Sequence, residues 1–239
     1  MPGMGTVINV ILIFAGGICG LLFGNRLPER HQETLMNANG IAVLFIGIAG
    51  ALEQIFEIHE KELVSQGTMM LTISLAVGAV IGECLRIDEK MERFGEWLKQ
   101  KTGNAKDNGF VDGFVTASLT VCIGAMAIIG SIEDGVMANP SILIAKGILD
   151  FVIILVMTAS MGKGCMFSAV PVGLFQVSVT ILAGFLKPFI TDGAMANLSL
   201  VGSVLIFCVG VNLVWDKKIR VANLLPGLVI AVAWSFFGG

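Results

Sequence analysis

The sequence predicts an all-α protein, a polytopic transmembrane bundle of about eight helices, on three observations. Of 239 residues, 55% are hydrophobic and only 14% are charged, against about a quarter charged in a soluble domain. The mean hydropathy is +0.87. The apolar residues also gather into runs long enough to cross a hydrocarbon core, which takes about 20 helical residues. Fifteen Lys and Arg with eighteen Asp and Glu cannot coat this chain with a water-facing surface, so lipid is the solvent for most of it.

Runs bounded by charge, Pro or Asn place the spans at 5–24, 36–55, 69–85, 110–131, 142–161, 166–186, 198–215 and 222–238. Stretches such as ILIFAGGICGLLFG and ILDFVIILVMTASM are continuously apolar, where a membrane β-barrel needs short strands of alternating polarity. The first span has no basic flank and no small-residue cleavage site, so it reads as a retained helix rather than a cleaved signal. Between the third and fourth spans, Ile87, Met91, Phe94 and Leu98 recur at helical spacing among charged residues, which predicts an amphipathic cytoplasmic helix over 86–108 with Trp97 at headgroup depth. In the sixth span, Pro171 removes a backbone donor and Gly173 lies close by, which predicts a kinked or broken helix.

Cytoplasmic loops carry the excess of Lys and Arg. The first, third, fifth and seventh connections hold twelve, and the second, fourth and sixth hold two, Lys61 and Lys187. Both termini are therefore expected outside the cytoplasm.

GTVINVILIFAG at 5–16 aligns without a gap on GFVTASLTVCIG at 113–124, sharing Gly5/Gly113, Val7/Val115 and Gly16/Gly124. This suggests one membrane domain over 1–239 built from a three-helix unit at 5–85, a connector at 86–109 and a second unit at 110–186, with two further helices over 198–238. An odd number of spans per unit inverts the second copy, the arrangement of many secondary transporters, whose sites lie near the midplane.

Charges within the bilayer cost about 2.5–3.5 kcal/mol each on insertion scales and are the first place to look for function. Lys146 and Asp150 lie at i and i+4 on one face of the fifth span. Two readings stand: a structural ion pair, or a site at which Asp150 binds a proton or cation and Lys146 compensates charge or meets an anion. Uncharged candidates are Asn9, Thr116, Ser118, Gln176 and Asn212; the amides stand out because a buried carboxamide needs up to four partners. Glu53 and Glu83 fall at span ends, where solvation at the interface explains them, and Glu133 and Asp134 close the fourth span on the outside, where two readings stand, collection of cations or simple solvation.

Several classes are excluded. A net charge of −3 without a basic tract gives nucleic acid no hold. The five Cys are scattered through apolar runs, the two His lie in loops, and HExxH, GxSxG and GxxxxGK[ST] are absent, so no enzyme chemistry, cofactor or metal centre is expected. The expected partners are the lipid bilayer and a small-molecule or ion substrate, and a homodimer is compatible with so small a bundle.

Met4-Gly5-Thr6-Val7-Ile8-Asn9, Leu27-Pro28-Glu29-Arg30, the string GFVTAS at 113–118, Gly124-Ala125-Met126-Ala127-Ile128, Ser141-Ile142-Leu143 and the string KIRVANLLP at 218–226 together resemble the bacterial YdfK/YqgA-type membrane proteins. The resemblance covers nearly the whole chain. It implies a multi-pass protein of the bacterial inner membrane, from a family of unknown function described in terms of transport, and it supplies no substrate. Relatives begin at the Met-Gly-Thr string, which implies that Met1-Pro2-Gly3 precedes the usual start. The reading is a secondary transporter moving a small solute or ion by alternating access of two three-helix units. An ion channel, or a scaffold or sensor acting through helix 86–108, is the alternative.

Overall fold

A computed structural model of the chain describes residues 2–24, 28–59, 62–122, 125–186, 191–215 and 219–236. The fold is an all-α membrane bundle. Its helices are α1 (Met4–Gly24), α2 (Glu29–Ile55), α3 (Thr68–Leu85), α4 (Ile87–Lys101), α5 (Phe110–Cys122), α6 (Ala125–Met137), α7 (Ser141–Met161), α8 (Ala169–Leu186), α9 (Asp192–Trp215), α10 (Val221–Leu224) and α11 (Pro226–Trp234). Among the described residues, six helical segments are long and apolar enough to span a membrane, and the pair α5 and α6 makes a seventh if it is one bent span. The eighth expected span is the shorter apolar stretch Val221–Trp234.

Three sequence expectations change. The fourth span is not one helix over 110–131: α5 and α6 lie at 64° to one another, and α6 continues to Met137, carrying Glu133 and Asp134 into the helix. The break expected inside the sixth span is not seen: α8 runs unbroken over Ala169–Leu186 and continues directly from a 3-10 helix at Lys163–Ser168, the two together making one apolar segment long enough to span a membrane. Pro171 is the third residue of α8, a first-turn position whose N–H has no intrahelical partner to lose. The second connection also carries an antiparallel hairpin, β1 (Phe56–His59) with β2 (Glu62–Ser65), in which Phe56 pairs with Ser65 and His59 with Glu62.

The chain forms two compact units, one of Met1–Asn39 with Lys90–Lys187 and one of Gly40–Glu89 with Pro188–Gly239. These do not follow the three-plus-three division at 5–85 and 110–186. α1 packs with the helices of the second half, because its small-residue face matches theirs.

In the first unit α1 and α7 run parallel with their backbones in contact. Gly5 meets Leu143, Gly147 meets Asn9, and Gly16, Gly20 and Gly24 press on the carbonyls of Phe151, Leu155 and Ala159. Small residues four apart permit this close approach, and van der Waals packing then holds the pair where lipid supplies no hydrophobic drive. α8 runs antiparallel to α1, with Gly17 against Met166 and Gly173 against Val10. Ile13, Ala117, Val121, Ile154, Met157, Cys165, Ala169 and Val172 form the buried core between these helices and α5. Val7, Ile11, Ile18 and Leu22 of α1 and Leu174, Ile181 and Phe185 of α8 stay exposed, as a lipid-facing surface should. The expected amphipathic helix is α4: Leu98 is buried with Phe110 and Phe114, Phe94 packs beside them, and the exposed Trp97 stacks on Phe94 at 5.8 Å.

In the second unit, α3 packs on α10 and α11 through Gly78 and Gly82, while Gly40, Gly47 and Gly50 of α2 sit against Val214, Phe207 and Ser203 of α9. Met70, Leu200, Val201 and Ala231 form its core. The corner between α3 and α4 turns at Arg86, in the left-handed conformation at φ 49°. Asn223 fixes that corner by donating to Glu83 Oε2 at 2.7 Å and accepting from the Asp88 backbone N–H at 2.9 Å. Arg220 donates to Glu83 at 2.6 Å. That hydrogen bond and the surrounding carboxylates hold its guanidinium above the ordinary value. Glu83 therefore has specific partners beyond the solvation the sequence suggested.

A Cβ at Gly20 would lie 2.4 Å from the Leu155 carbonyl oxygen, whereas one at Gly184 meets nothing within 4 Å. Gly20→Val is expected to lower stability by about 1–3 kcal/mol through overpacking, and Gly184→Ala to be neutral or to stabilise by up to about 1 kcal/mol. Thermal unfolding in detergent checks the contrast.

Candidate functional site

α7 is continuously apolar apart from its i, i+4 pair of charges, and packing leaves both of these inside, Lys146 at 6% and Asp150 at 4% exposure. Lys146 Nζ donates to Asp150 Oδ2. It also donates to the Val121 carbonyl oxygen at 2.8 Å. Val121 lies in the last turn of α5, where carbonyls have no intrahelical donor and the helix dipole is negative. The ammonium thus caps the helix at the place where the fourth span breaks, and Asp150 neutralises the ammonium.

Asn9 and Gln176 are fully buried. Asn9 faces Asp150 from α1, close enough to interact with its carboxylate though not in the geometry of a formed hydrogen bond. Their position relative to the core follows from helix geometry. Asn9 is one turn before Ile13 on α1, Asp150 one turn before Ile154 on α7, and Gln176 one turn after Val172 on the antiparallel α8. Ile13, Ile154, Val172 and Val121 share one apolar cluster, so the polar groups form a layer stacked on it, beside the end of α5. One turn beyond the cluster in the other direction lie Thr158 and Ser168, both buried. An apolar layer therefore separates two polar ones.

The polar groups around this layer lack partners. The buried side-chain atoms without a hydrogen bond, among the described residues, are both amide atoms of Asn9 and of Gln176, one carboxylate oxygen of Asp134, and the hydroxyls of Thr6, Ser118, Thr158 and Ser168. All belong to the first unit. A buried amide without a partner costs about 1–3 kcal/mol in proteins, so these four amide atoms are the most costly uncharged polar groups of the unit.

The structure thus brings Lys146 and Asp150 together, with Asn9 facing them; helix register sets the buried Gln176 at a similar depth on α8. Ser118 is buried on α5, and the half-buried Thr116 accepts through its carbonyl from the Thr120 hydroxyl. Asn212 stands apart, in the second unit. Its carboxamide donates to the Ile219 carbonyl at 2.8 Å and accepts from the Ile219 N–H at 2.9 Å, tying the end of α9 to the segment before α10.

Sequence reasoning missed Asp134. Placed at a wet span end, it is instead completely buried, and its Oδ2 accepts the Gly5 backbone N–H at 2.9 Å. It supplies an acceptor and a negative charge to the first turn of α1. The legible signal was the apolar Gly135-Val136-Met137 before Asn139-Pro140, which extends the helix past the acidic pair. Among the described residues, no three His, Cys, Asp or Glu converge to hold a metal, and the five Cys are free.

Residues 4–236 match the family described as "Protein of unknown function (DUF554)". The chain belongs to this family. It is 26% identical over 226 residues to "Uncharacterized membrane protein YdfK" of Bacillus subtilis (strain 168), covering 95% of this chain and 93% of that one. It is 27% identical over 236 residues to "Uncharacterized protein YqgA" of Escherichia coli (strain K12), covering 97% and 96%. No solved structure matches it. The resemblance drawn from the GFVTAS and KIRVANLLP strings is thus shown. In this DUF554 chain those strings fall on α5, where Ser118 is buried, and on the segment carrying Arg220 and Asn223.

Breaking a buried ion pair by removing one charge costs about 3–5 kcal/mol, whereas replacing both with uncharged groups of similar volume is often neutral. Lys146→Met or Asp150→Asn alone is expected to lower the unfolding temperature sharply, and the double variant to recover most of the loss. A double-mutant cycle by thermal unfolding in detergent measures it.

Proposed function

We propose that this protein is a secondary transporter that moves a small solute or ion across the bacterial inner membrane through the polar layer of the first unit. The observation that carries the reading is the set of four unpartnered, fully buried amide atoms of Asn9 and Gln176 beside the Lys146–Asp150 pair at the break between α5 and α6. Ionisable groups in membrane interiors mark substrate and ion pathways, and carriers build their sites at discontinuous helices near the midplane. The surplus of Lys and Arg on alternate connections sets the orientation, with both termini outside. The parallel course of α1 and α7 and the opposite course of α8 agree with that alternation of crossings.

The layer of Ile13, Val121, Ile154 and Val172 favours a carrier over an open channel. It closes the polar layer on one side with side chains in contact, so passage requires the helices to rearrange. Flux should accordingly saturate with solute and run at the rate of a conformational cycle.

Purified protein in liposomes, tested for uptake and counterflow with ions, carboxylates, amines and amino acids, is expected to show saturable flux. Asp150→Asn should reduce it by more than about tenfold, an effect of about 1.4 kcal/mol. Equal flux in wild type and variant removes this site from the mechanism, and unitary currents would establish a channel.

A further inference from the structure

We infer that the ligand of this polar layer is a small zwitterion carrying both an ammonium and a carboxylate, the chemistry of an amino acid. The inference deepens the transport reading and rests on its choice of site.

The ion pair is electrically neutral as it stands. Lys146 and Asp150 cancel one another, both buried, while the other buried carboxylate of the unit, Asp134, is engaged at the first turn of α1 through the Gly5 N–H. Bringing an ion of one sign into this interior would leave a net charge without a counter-charge, which is the costly arrangement in low dielectric. A zwitterion adds no net charge. Aligned head to tail with the pair, it sets its carboxylate beside the Lys146 ammonium and its ammonium beside the Asp150 carboxylate, so every charge keeps an opposite neighbour before and after binding. Lys146 stays anchored meanwhile, because the Val121 carbonyl at the end of α5 holds it independently of Asp150.

The amides fit the same ligand. Asn9 and Gln176 each offer an N–H donor group and a carbonyl acceptor that make no formed hydrogen bond among the described residues. Donors suit a carboxylate and acceptors suit an ammonium. A neutral polar solute would use the amides but engage neither charge of the pair. Capping α5 needs only a donor, which an uncharged hydroxyl or amide supplies without importing two charges into the bilayer at the cost insertion scales assign.

The test is thermal unfolding of the detergent-purified full chain against the twenty standard amino acids, with propionate, ethylammonium and propionamide as the anionic, cationic and neutral counterparts. A bound ligand stabilises the fold it binds. One or more amino acids should raise the unfolding temperature by several degrees while the three counterparts leave it unmoved. The rise should vanish in Lys146→Met/Asp150→Asn, whose unliganded unfolding temperature reports that it is folded. It should also vanish in Gln176→Leu, which keeps the ion pair and so reads the amide alone. Stabilisation by propionamide or by an ion of one sign in place of the amino acids overturns the inference. So does an amino-acid shift that survives in both variants, or no shift with any amino acid. Saturable flux of an inorganic ion without amino-acid binding sinks the ligand class and leaves the carrier; amino-acid binding without flux does the reverse.

Discussion

Within a hydrocarbon layer every backbone donor and acceptor must find a partner inside the protein, and the first unit is organised around a place where a helix interrupts that pattern. α5 ends at Cys122 and α6 lies at 64° to it, and in the last turn of α5 the Val121 carbonyl takes a donor from outside the helix. Lys146 supplies the donor. An ammonium in that position needs a counter-charge, which Asp150 supplies one turn along the same helix. The ion pair and the broken span are therefore one device, and neither charge is intelligible without the break. Asp134 plays a corresponding part at the start of α1, where its carboxylate accepts a first-turn N–H.

Close helix packing makes the device possible. α1 reaches α7 through glycines that leave backbone touching backbone, and that proximity brings Asn9 to face Asp150. Gly173 lets α8 lie against Val10 and so places Gln176 in the same layer. Beneath them, contact among Ile13, Val121, Ile154 and Val172 seals the layer from Thr158 and Ser168. The unpartnered amides are tolerated because stability comes from this packing around them, a pattern expected where local bonding rules yield to function.

Much of this was legible in the residues. Hydropathy located the spans, since a lipid-facing helix must be apolar over its whole length, and the i, i+4 spacing put Lys146 and Asp150 on one face. The periodicity of Ile87, Phe94 and Leu98 gave α4. Pro171 was misread because a proline's effect depends on its place in the helix, and the start of α8 could not be seen in an uninterrupted apolar run. The break at the end of α5 left no such mark. Asn212 and Gln176, both amides in apolar helices, read alike in the sequence; one closes a loop against Ile219 and the other makes no hydrogen bond among the described residues.

By itself the sequence determined that the chain lives in lipid, which apolar helices carry charge and the family to which it belongs, because all of these depend on composition and order along the chain. The tertiary structure decided which helices share a unit, where a span breaks and which polar side chains remain without partners. Those outcomes depend on how closely backbones approach and on what stands opposite each face. α1 pairs with α7, across more than a hundred residues of sequence, because their small-residue faces fit.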